Sequence, residues 1–321
     1  MTLRNALVGT FAVVSLAACG TTTPSADNGK IQVVASTNVW GSVVKAVGGD
    51  EVEVKALLED PGADPHSYES KPADAALVKD AQLVVFNGGG YDDFFAKLIT
   101  SDATRKIEAF PLADDHSEPH AEETHPEETQ AEETHAEETH AEDAHGHDHS
   151  VNEHVWYDLH TVRAVAEAAA NELGALAPEK KTTFESNTQK FSEALEELEK
   201  KVAGAGAGKK VASTEPIAHY LLDETGAEDV TPEAFSKAIE EESDVPAAAL
   251  AAMNQVVEGK QVNLLVNNTQ TENRVTQGLV EKAKAAGVPV VEVTETLPEG
   301  VTGYLDWMSK QVDALVQALK A

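Results

Sequence analysis

One acidic, histidine-rich segment, Asp114 to His149, constrains the fold of this chain more than any other feature. It contains eight of the twelve histidines and fourteen Asp or Glu residues, with no Lys or Arg, in a five-residue repeat built on Glu-Glu-Thr-His. A packed core cannot hold this density of charge, because buried charges need partners of opposite sign and the segment has none. The segment therefore interrupts the folded part of the chain.

The same segment is a candidate auxiliary metal-binding loop, because solvated imidazole and carboxylate groups attract divalent transition metals. A solubilising spacer is the alternative interpretation. The histidines concerned are His116, His120, His125, His135, His140, His145, His147 and His149.

The N-terminus indicates export. Arg4 precedes an apolar stretch from Ala6 to Ala17 that is too short to span a bilayer, which is typical of a secretory signal. Leu16-Ala17-Ala18-Cys19 resembles the bacterial lipobox, whose cysteine is lipidated, and residues 20–30 then form a flexible tether. An ordinary signal peptide with an incidental cysteine is the alternative. Cys19 is the only cysteine, so an intramolecular disulfide is excluded.

The charge balance excludes one broad class of partner. The formal net charge is −32, and the histidine-rich segment supplies −14 of it, which leaves −18 for the rest of the chain. Nucleic-acid binding requires basic patches that this sequence lacks. A strongly negative surface is instead compatible with the attraction of cations.

Hydrophobic periodicity predicts an α/β fold of two lobes joined by one long helix. Short runs rich in β-branched residues alternate with helical stretches, which is typical of parallel sheets flanked by helices. Before the acidic segment, strands are predicted at 31–36, 52–58 and 82–86, with helices at 72–79 and 92–100. After it, helices are predicted at 161–173, 178–202, 232–240, 246–257, 272–286 and 304–319, with strands at 210–214, 262–267 and 289–293.

The sequence therefore divides into five parts. These are a lipoprotein signal peptide at 1–19, the tether at 20–30, an N-terminal α/β lobe at 31–176 that includes the loop 114–150, a linking helix at 177–203 and a C-terminal α/β lobe at 209–321.

Polar residues just beyond the predicted strands are the candidate site. Ligands of open α/β sheets bind beyond the carboxyl ends of the strands. His66 lies in a proline-stiffened loop after the second strand, Glu215 and Glu295 each follow a strand of the second lobe, and His154 follows the acidic segment. Taken singly, each is more typical of a surface or helix-start residue. Together, two imidazoles and two carboxylates could enclose one dication and leave little room for an activated water.

Two motifs, Asp64-Pro65-His66-Ser67-Tyr68-Glu69 and Asn152-Glu153-His154-Val155-Trp156-Tyr157-Asp158, carry a family resemblance. With Leu83 to Gly88 and the helix from Pro72, they resemble the zinc and manganese substrate-binding lipoproteins of bacterial ABC transporters. The resemblance implies two lobes with four-stranded sheets, joined by one backbone helix, and a single metal ion between them. Zinc-type members often have a histidine- and acid-rich loop at the place of the acidic segment.

The resemblance also implies a ligand set of His66, His154, Glu215 and Glu295. Zinc-type members usually have His at the third position, where manganese-type members have Glu, and the fourth is commonly Asp. Two imidazoles with two carboxylates suit Mn²⁺ or Fe²⁺ as well as Zn²⁺, whereas the histidine-rich loop favours zinc. His219 is a rival third ligand, because it lies one helical turn beyond Glu215.

The expected function is therefore capture of Zn²⁺, or alternatively Mn²⁺ or iron, without catalysis. The resemblance implies a monomer held by lipidated Cys19 on the extracytoplasmic side of a bacterial cell membrane, serving an ABC permease and its ATPase. A secreted metallohydrolase is disfavoured because no His-Glu-x-x-His motif occurs. A surface adhesin with a structural metal remains an alternative.

Overall fold

The structure is a computed structural model that describes residues 29–61, 67–101, 104–113, 152–241 and 243–321. The predicted signal peptide, Cys19, residues 20–28 of the tether, His66 and the histidine-rich segment lie outside these ranges. In the part of the chain that is described, no helix combines the length and apolar character needed to cross a membrane.

The N-terminal lobe is a parallel four-stranded sheet of order β2-β1-β3-β4. The two inner strands of this sheet, β1 and β3, are buried on both faces, which explains why they are nearly continuous apolar runs. Its elements are β1 (Ile31–Thr37), α1 (Asn38–Gly48), β2 (Val52–Leu58), α2 (Pro72–Asp80), β3 (Leu83–Phe86), α3 (Asp93–Ala96) and β4 (Arg105–Glu108).

Two long helices follow, α4 (Leu159–Leu176) and α5 (Lys181–Val202). The second is the long helix that the sequence predicted, with Pro178–Lys180 forming a 3-10 turn before it. Buried residues recur along α5 every three or four positions, from Phe184 to Val202, which gives the helix one apolar face. Gly204, with a positive φ of 68°, lies just beyond its end.

The C-terminal lobe repeats the arrangement with a parallel sheet of order β6-β5-β7-β8. The predicted class of two four-stranded α/β lobes is therefore confirmed. Its elements are β5 (Lys210–Ser213), α6 (His219–Thr225), β6 (Glu228–Asp229), α7 (Glu233–Glu240), α8 (Ala247–Glu258), β7 (Leu264–Asn268), α9 (Arg274–Ala286), β8 (Val290–Val293) and α10 (Tyr304–Lys320).

One apolar core runs through both lobes. It contains buried residues of both sheets and of the helices α1, α4, α5 and α10, such as Val43, Leu173, Leu195 and Leu315. Smaller clusters lie under α2 and α3 in the first lobe and under α7, α8 and α9 in the second. Because the lobes share a close-packed core, a large hinge rotation between them would have to break it.

Candidate metal centre

The two candidate carboxylates lie at one edge of the second sheet. Glu215 comes two residues after β5 and Glu295 two residues after β8, and carboxyl ends of parallel strands meet at the same edge. Both side chains are buried, with exposed fractions of 6% for Glu215 and 1% for Glu295. Buried carboxylates require hydrogen-bond donors or cations around them.

Asn268 supplies such a donor to both carboxylates. It ends β7, which lies between β5 and β8, and its side-chain nitrogen is 2.6 Å from Oε2 of Glu215 and 2.8 Å from Oε1 of Glu295. Thr271 adds a hydroxyl that donates to Oε1 of Glu215 at 2.5 Å. The fold therefore brings Glu215 and Glu295 together around one buried amide.

Tyr91 reaches this carboxylate pair from the first lobe. Its hydroxyl donates to Oε2 of Glu295 at 3.0 Å, and its ring packs against His154 and Trp156, with centroid distances of 6.1 Å and 4.5 Å. It follows a turn of three glycines with positive φ, a backbone conformation that other residues rarely adopt. A Cβ at Gly88 would lie 2.5 Å from the Glu108 carboxylate, so the turn also requires a residue without a side chain at this position.

His154 is almost completely buried, with 1% of its surface exposed. Oδ1 of Asn152 accepts a hydrogen bond from the His154 backbone N–H at 2.9 Å and lies 2.8 Å from Nδ1 of the ring. Since this amide oxygen can only accept, Nδ1 is the donor in this contact, and Nε2 is the ring nitrogen that can bind a metal ion. Fixing the tautomer by a hydrogen bond to the other nitrogen is characteristic of metal-binding histidines.

Hydrogen bonds connect the His154 segment to both carboxylate loops. The Asn152 side chain donates to the carbonyl of Pro216 at 2.7 Å, and the Tyr220 hydroxyl donates to the carbonyl of Asn152 at 2.6 Å. The Tyr157 hydroxyl donates to the carbonyl of Thr294 at 2.9 Å. His154 is thereby held beside the loops that carry Glu215 and Glu295.

The loop that contains His66 begins close to Glu295. His66 itself is outside the described residues, but Pro61 precedes it and accepts a hydrogen bond from the Gln270 side chain at 3.0 Å. The other end of that amide, Oε1 of Gln270, accepts from the backbone N–H of Glu295 at 2.5 Å and of Thr296 at 3.0 Å. The loop therefore starts next to Glu295.

A buried acid supports the turn that precedes Tyr91. Oδ2 and Oδ1 of Asp92 accept hydrogen bonds from the backbone N–H groups of Asn87 and Gly88, at 2.7 Å and 2.8 Å. Burial raises the pKa of Asp92 to about 6, although these backbone hydrogen bonds act in the opposite direction. Asn87 in turn donates to the carbonyl of Glu153 at 2.8 Å, so the turn helps to fix the His154 segment.

A further group of possible ligands surrounds His154. One ligand atom each of Glu153, His154 and Glu240 lies within 4.8 Å of the others. Both glutamates are partly exposed, whereas the imidazole is buried. Neither Glu153 nor Glu240 was a candidate from the sequence.

The rival third ligand, His219, points elsewhere. Its side chain is 44% exposed and its Nε2 lies 3.4 Å from Asp223, one turn along α6. His160 occupies the second position of α4, where its backbone N–H donates to the capping side chain of Asp158 at 3.0 Å.

Comparison with known proteins decides the family. The model of ZnuA, described as zinc-uptake complex component A, periplasmic, matches residues 33–318. The chain belongs to this family. The ZnuA family consists of solute-binding proteins and not of enzymes, in agreement with the sequence-based expectation.

Relatives of the chain have names that cite three metals. It is 25% identical over 203 residues to the iron ABC transporter substrate-binding lipoprotein MtsA of Streptococcus pyogenes serotype M1, covering 62% of this chain and 58% of MtsA. It is 27% identical over 324 residues to the zinc-binding lipoprotein AdcA of Streptococcus pneumoniae R6, covering 97% of this chain and 60% of AdcA. The chain thus spans less than two thirds of either relative. The manganese ABC transporter substrate-binding lipoprotein PsaA of Streptococcus anginosus is 24% identical, covering 82% of this chain and 77% of PsaA.

Solved structures show the same fold. The periplasmic zinc-binding protein TroA from Treponema pallidum superposes with a TM-score of 0.68 at 17% identity, covering 91% of this chain and 99% of TroA. A mutant of the laminin-binding adhesin Lmb from Streptococcus agalactiae gives 0.67 at 21% identity, covering 90% and 99%.

Proposed function

We propose that this member of the ZnuA family is the extracytoplasmic metal-binding component of an ABC importer. It captures one divalent ion between its lobes and delivers it to a permease that an ATPase drives. The protein acts as a monomer and is held at the outer face of the cell membrane through lipidated Cys19. The ion is cargo, and no bond of a substrate is made or broken.

One observation carries this proposal. Asn268 holds the carboxylates of Glu215 and Glu295 side by side in a buried position, and the His154 segment is hydrogen-bonded to both of their loops. Two carboxylates in a low-dielectric site repel one another, and a dication at that place would relieve the repulsion. His154 would supply an imidazole and His66 a second one, which completes a set of four.

The placement of the two rival residues favours Glu215 as the third ligand. Glu215 is buried and shares a donor with Glu295, whereas the side chain of His219 is 44% exposed and faces Asp223. A third ligand has to lie close to Glu295, because both must contact the same ion. Of the two candidates, Glu215 lies close to Glu295 and His219 lies beside Asp223.

Zinc is the cargo that we propose, and manganese is the second candidate. Imidazoles and the histidine-rich segment suit Zn²⁺, and the matching family model is named for zinc uptake. The carboxylate pair favours Mn²⁺ or Fe²⁺, which prefer oxygen donors. The names of the relatives do not favour one metal, since they cite zinc, manganese and iron.

Calorimetric titration of the metal-free protein with Zn²⁺ and with Mn²⁺ tests the proposal. We expect one tight site, lost in His154→Ala and Glu215→Gln and kept in His219→Ala, which removes an exposed imidazole as the matched control. Deletion of residues 114–149 should remove weaker, multiple binding and leave the tight site intact. Tight binding that survives His154→Ala, or that disappears with the deletion, would refute the assignment.

A further inference from the structure

Two carboxylates that are not part of the four-ligand site, those of Glu153 and Glu240, form a group with His154, which is part of it. One ligand atom of each lies within 4.8 Å of the other two. Neighbouring donor atoms around a tetrahedral Zn²⁺ are about 3.3 Å apart, so the three side chains would have to draw together by up to about 1.5 Å to contact a single ion. The group contains a buried imidazole as well as two carboxylates, which is a donor set for a transition metal and not merely an acidic patch.

The three residues join the two lobes. Glu153 and His154 are neighbours in the segment that leads into α4, and Glu240 is the last residue of α7 in the C-terminal lobe. The backbone of Glu153 is fixed, because its carbonyl accepts hydrogen bonds at 2.8 Å from both the Asn87 side chain and the backbone N–H of Val155. Such a support keeps the Glu153 carboxylate next to His154.

The residues of this group and those of the four-ligand site differ in how deeply they are buried. Glu153 and Glu240 are partly exposed, whereas His154, Glu215 and Glu295 are buried. An ion arriving from solvent would therefore meet the two partly exposed carboxylates before the buried pair. Exposed carboxylates can also bind an ion that keeps part of its water shell, since they leave coordination positions open to solvent.

We infer that Glu153, His154 and Glu240 form an outer binding position, through which the divalent ion enters and leaves the inner site. His154 belongs to both positions: it first binds the partly hydrated ion with Glu153 and Glu240, and then keeps it while Glu215, Glu295 and His66 replace them. Because Nδ1 of His154 is hydrogen-bonded to Asn152, a single ring nitrogen serves both positions, so they are occupied in turn. This inference rests on the proposed function.

Kinetics distinguish an outer position from a final ligand. Removing a group that lies only on the path raises the barrier in both directions, so association and release slow together and the dissociation constant stays the same. Removing a ligand of the final site weakens binding and speeds release. Removing a charge that acts only at long range slows association by an amount that shrinks as ionic strength rises, and removing other carboxylates nearby would do the same.

The experiment uses the full chain and zinc chloride. Stopped-flow measurements give the rate of Zn²⁺ association and the rate of EDTA-driven release for the unmodified protein, Glu153→Gln and Glu240→Gln. Glu233→Gln is the matched control, because Glu233 is an exposed carboxylate on the same helix as Glu240. We expect both rates to fall several-fold in Glu153→Gln and in Glu240→Gln, with unchanged dissociation constants and unchanged thermal unfolding, and no change in Glu233→Gln.

Three results would overturn the inference: unchanged rates in both test variants, weaker binding with faster release, or an equal effect in Glu233→Gln. The proposed function fails separately, if the unmodified protein binds neither Zn²⁺ nor Mn²⁺ at one tight site. Tight binding that depends on Glu215, combined with unchanged rates in both Glu153→Gln and Glu240→Gln, would remove the outer position and leave the proposed function standing.

Discussion

The Tyr91 hydroxyl donates a hydrogen bond to the Glu295 carboxylate across 3.0 Å and so joins the two lobes at the candidate site. Hydrogen bonds to charged groups in buried positions are stronger than those between neutral groups. This contact orients one carboxylate oxygen and makes the position of Glu295 depend on the first lobe.

Tyr91→Phe should weaken metal binding while keeping the packing of the ring on Trp156. Loss of a hydroxyl that orients a ligand costs about tenfold in affinity. Competition titration against a chelator of known affinity measures the change. Tyr304→Phe is the control, because it also removes a buried hydroxyl, one that donates to the carbonyl of Trp156 at 2.7 Å. An affinity loss of the same size in both variants would contradict a specific role for Tyr91.

Asn268→Ala should weaken binding more than Tyr91→Phe does. The variant removes the donor that both Glu215 and Glu295 share, so each carboxylate loses its orientation, and we expect a loss of about 10- to 100-fold in affinity. The same competition titration checks this. Asn254→Ala removes an amide that accepts from Lys282 outside the site and should leave affinity unchanged. Unchanged binding in Asn268→Ala would show that the shared amide does not support the site.

Glu215→His should shift selectivity from manganese toward zinc. It replaces a hard oxygen donor with an imidazole, which suits Zn²⁺ better than Mn²⁺. The measured quantity is the ratio of the Zn²⁺ and Mn²⁺ dissociation constants, with Glu215→Gln as the control that removes the charge without adding a nitrogen donor. A ratio that moves toward manganese in the His variant would contradict the assignment of Glu215 as a ligand.

Asp92 should make stability depend on pH in the opposite sense to an ordinary paired carboxylate. Burial raises its pKa from 3.8 to about 6, so between these values the folded state binds more protons than the unfolded state. Stability from this group is therefore full below about pH 4, falls as pH rises to about 6 and stays low above it. The total change is on the order of 3 kcal/mol.

Urea unfolding of the metal-free protein and of Asp92→Asn from pH 4 to pH 7 measures this effect. The free energy of unfolding of the unmodified protein, relative to that of the variant, should decline with rising pH. Asp80→Asn, which removes an exposed carboxylate, supplies the control. Parallel curves for the unmodified protein and Asp92→Asn would mean that folding does not raise the pKa of Asp92.

The fold was largely predictable because buried parallel strands have nearly continuous apolar sequences. The runs at β1, β3 and β7 are buried along nearly their whole length, so hydrophobicity alone located them. Two edge strands were not predicted, because they are exposed and lack such a sequence. β4 begins with the exposed residues Arg105 and Lys106, and β6 contains only Glu228 and Asp229, so neither has an apolar pattern.

The site was predictable only where it follows the geometry of a sheet edge. Glu215 and Glu295 could be located because they come directly after strands. Asn268 could not be located in this way, because its role depends on β7 lying between β5 and β8, which are distant in sequence. Tyr91 and Glu240 have no local signature, since their relevance arises from contacts between the lobes.

Anomalous diffraction from crystals of the Zn²⁺-loaded protein tests the central claim most directly. One strong peak should lie between the lobes, with His66, His154, Glu215 and Glu295 each contributing a donor atom at about 2.0–2.2 Å. A peak bound by other residues, or a structure in which His66 and Glu295 face different surfaces, would contradict the account.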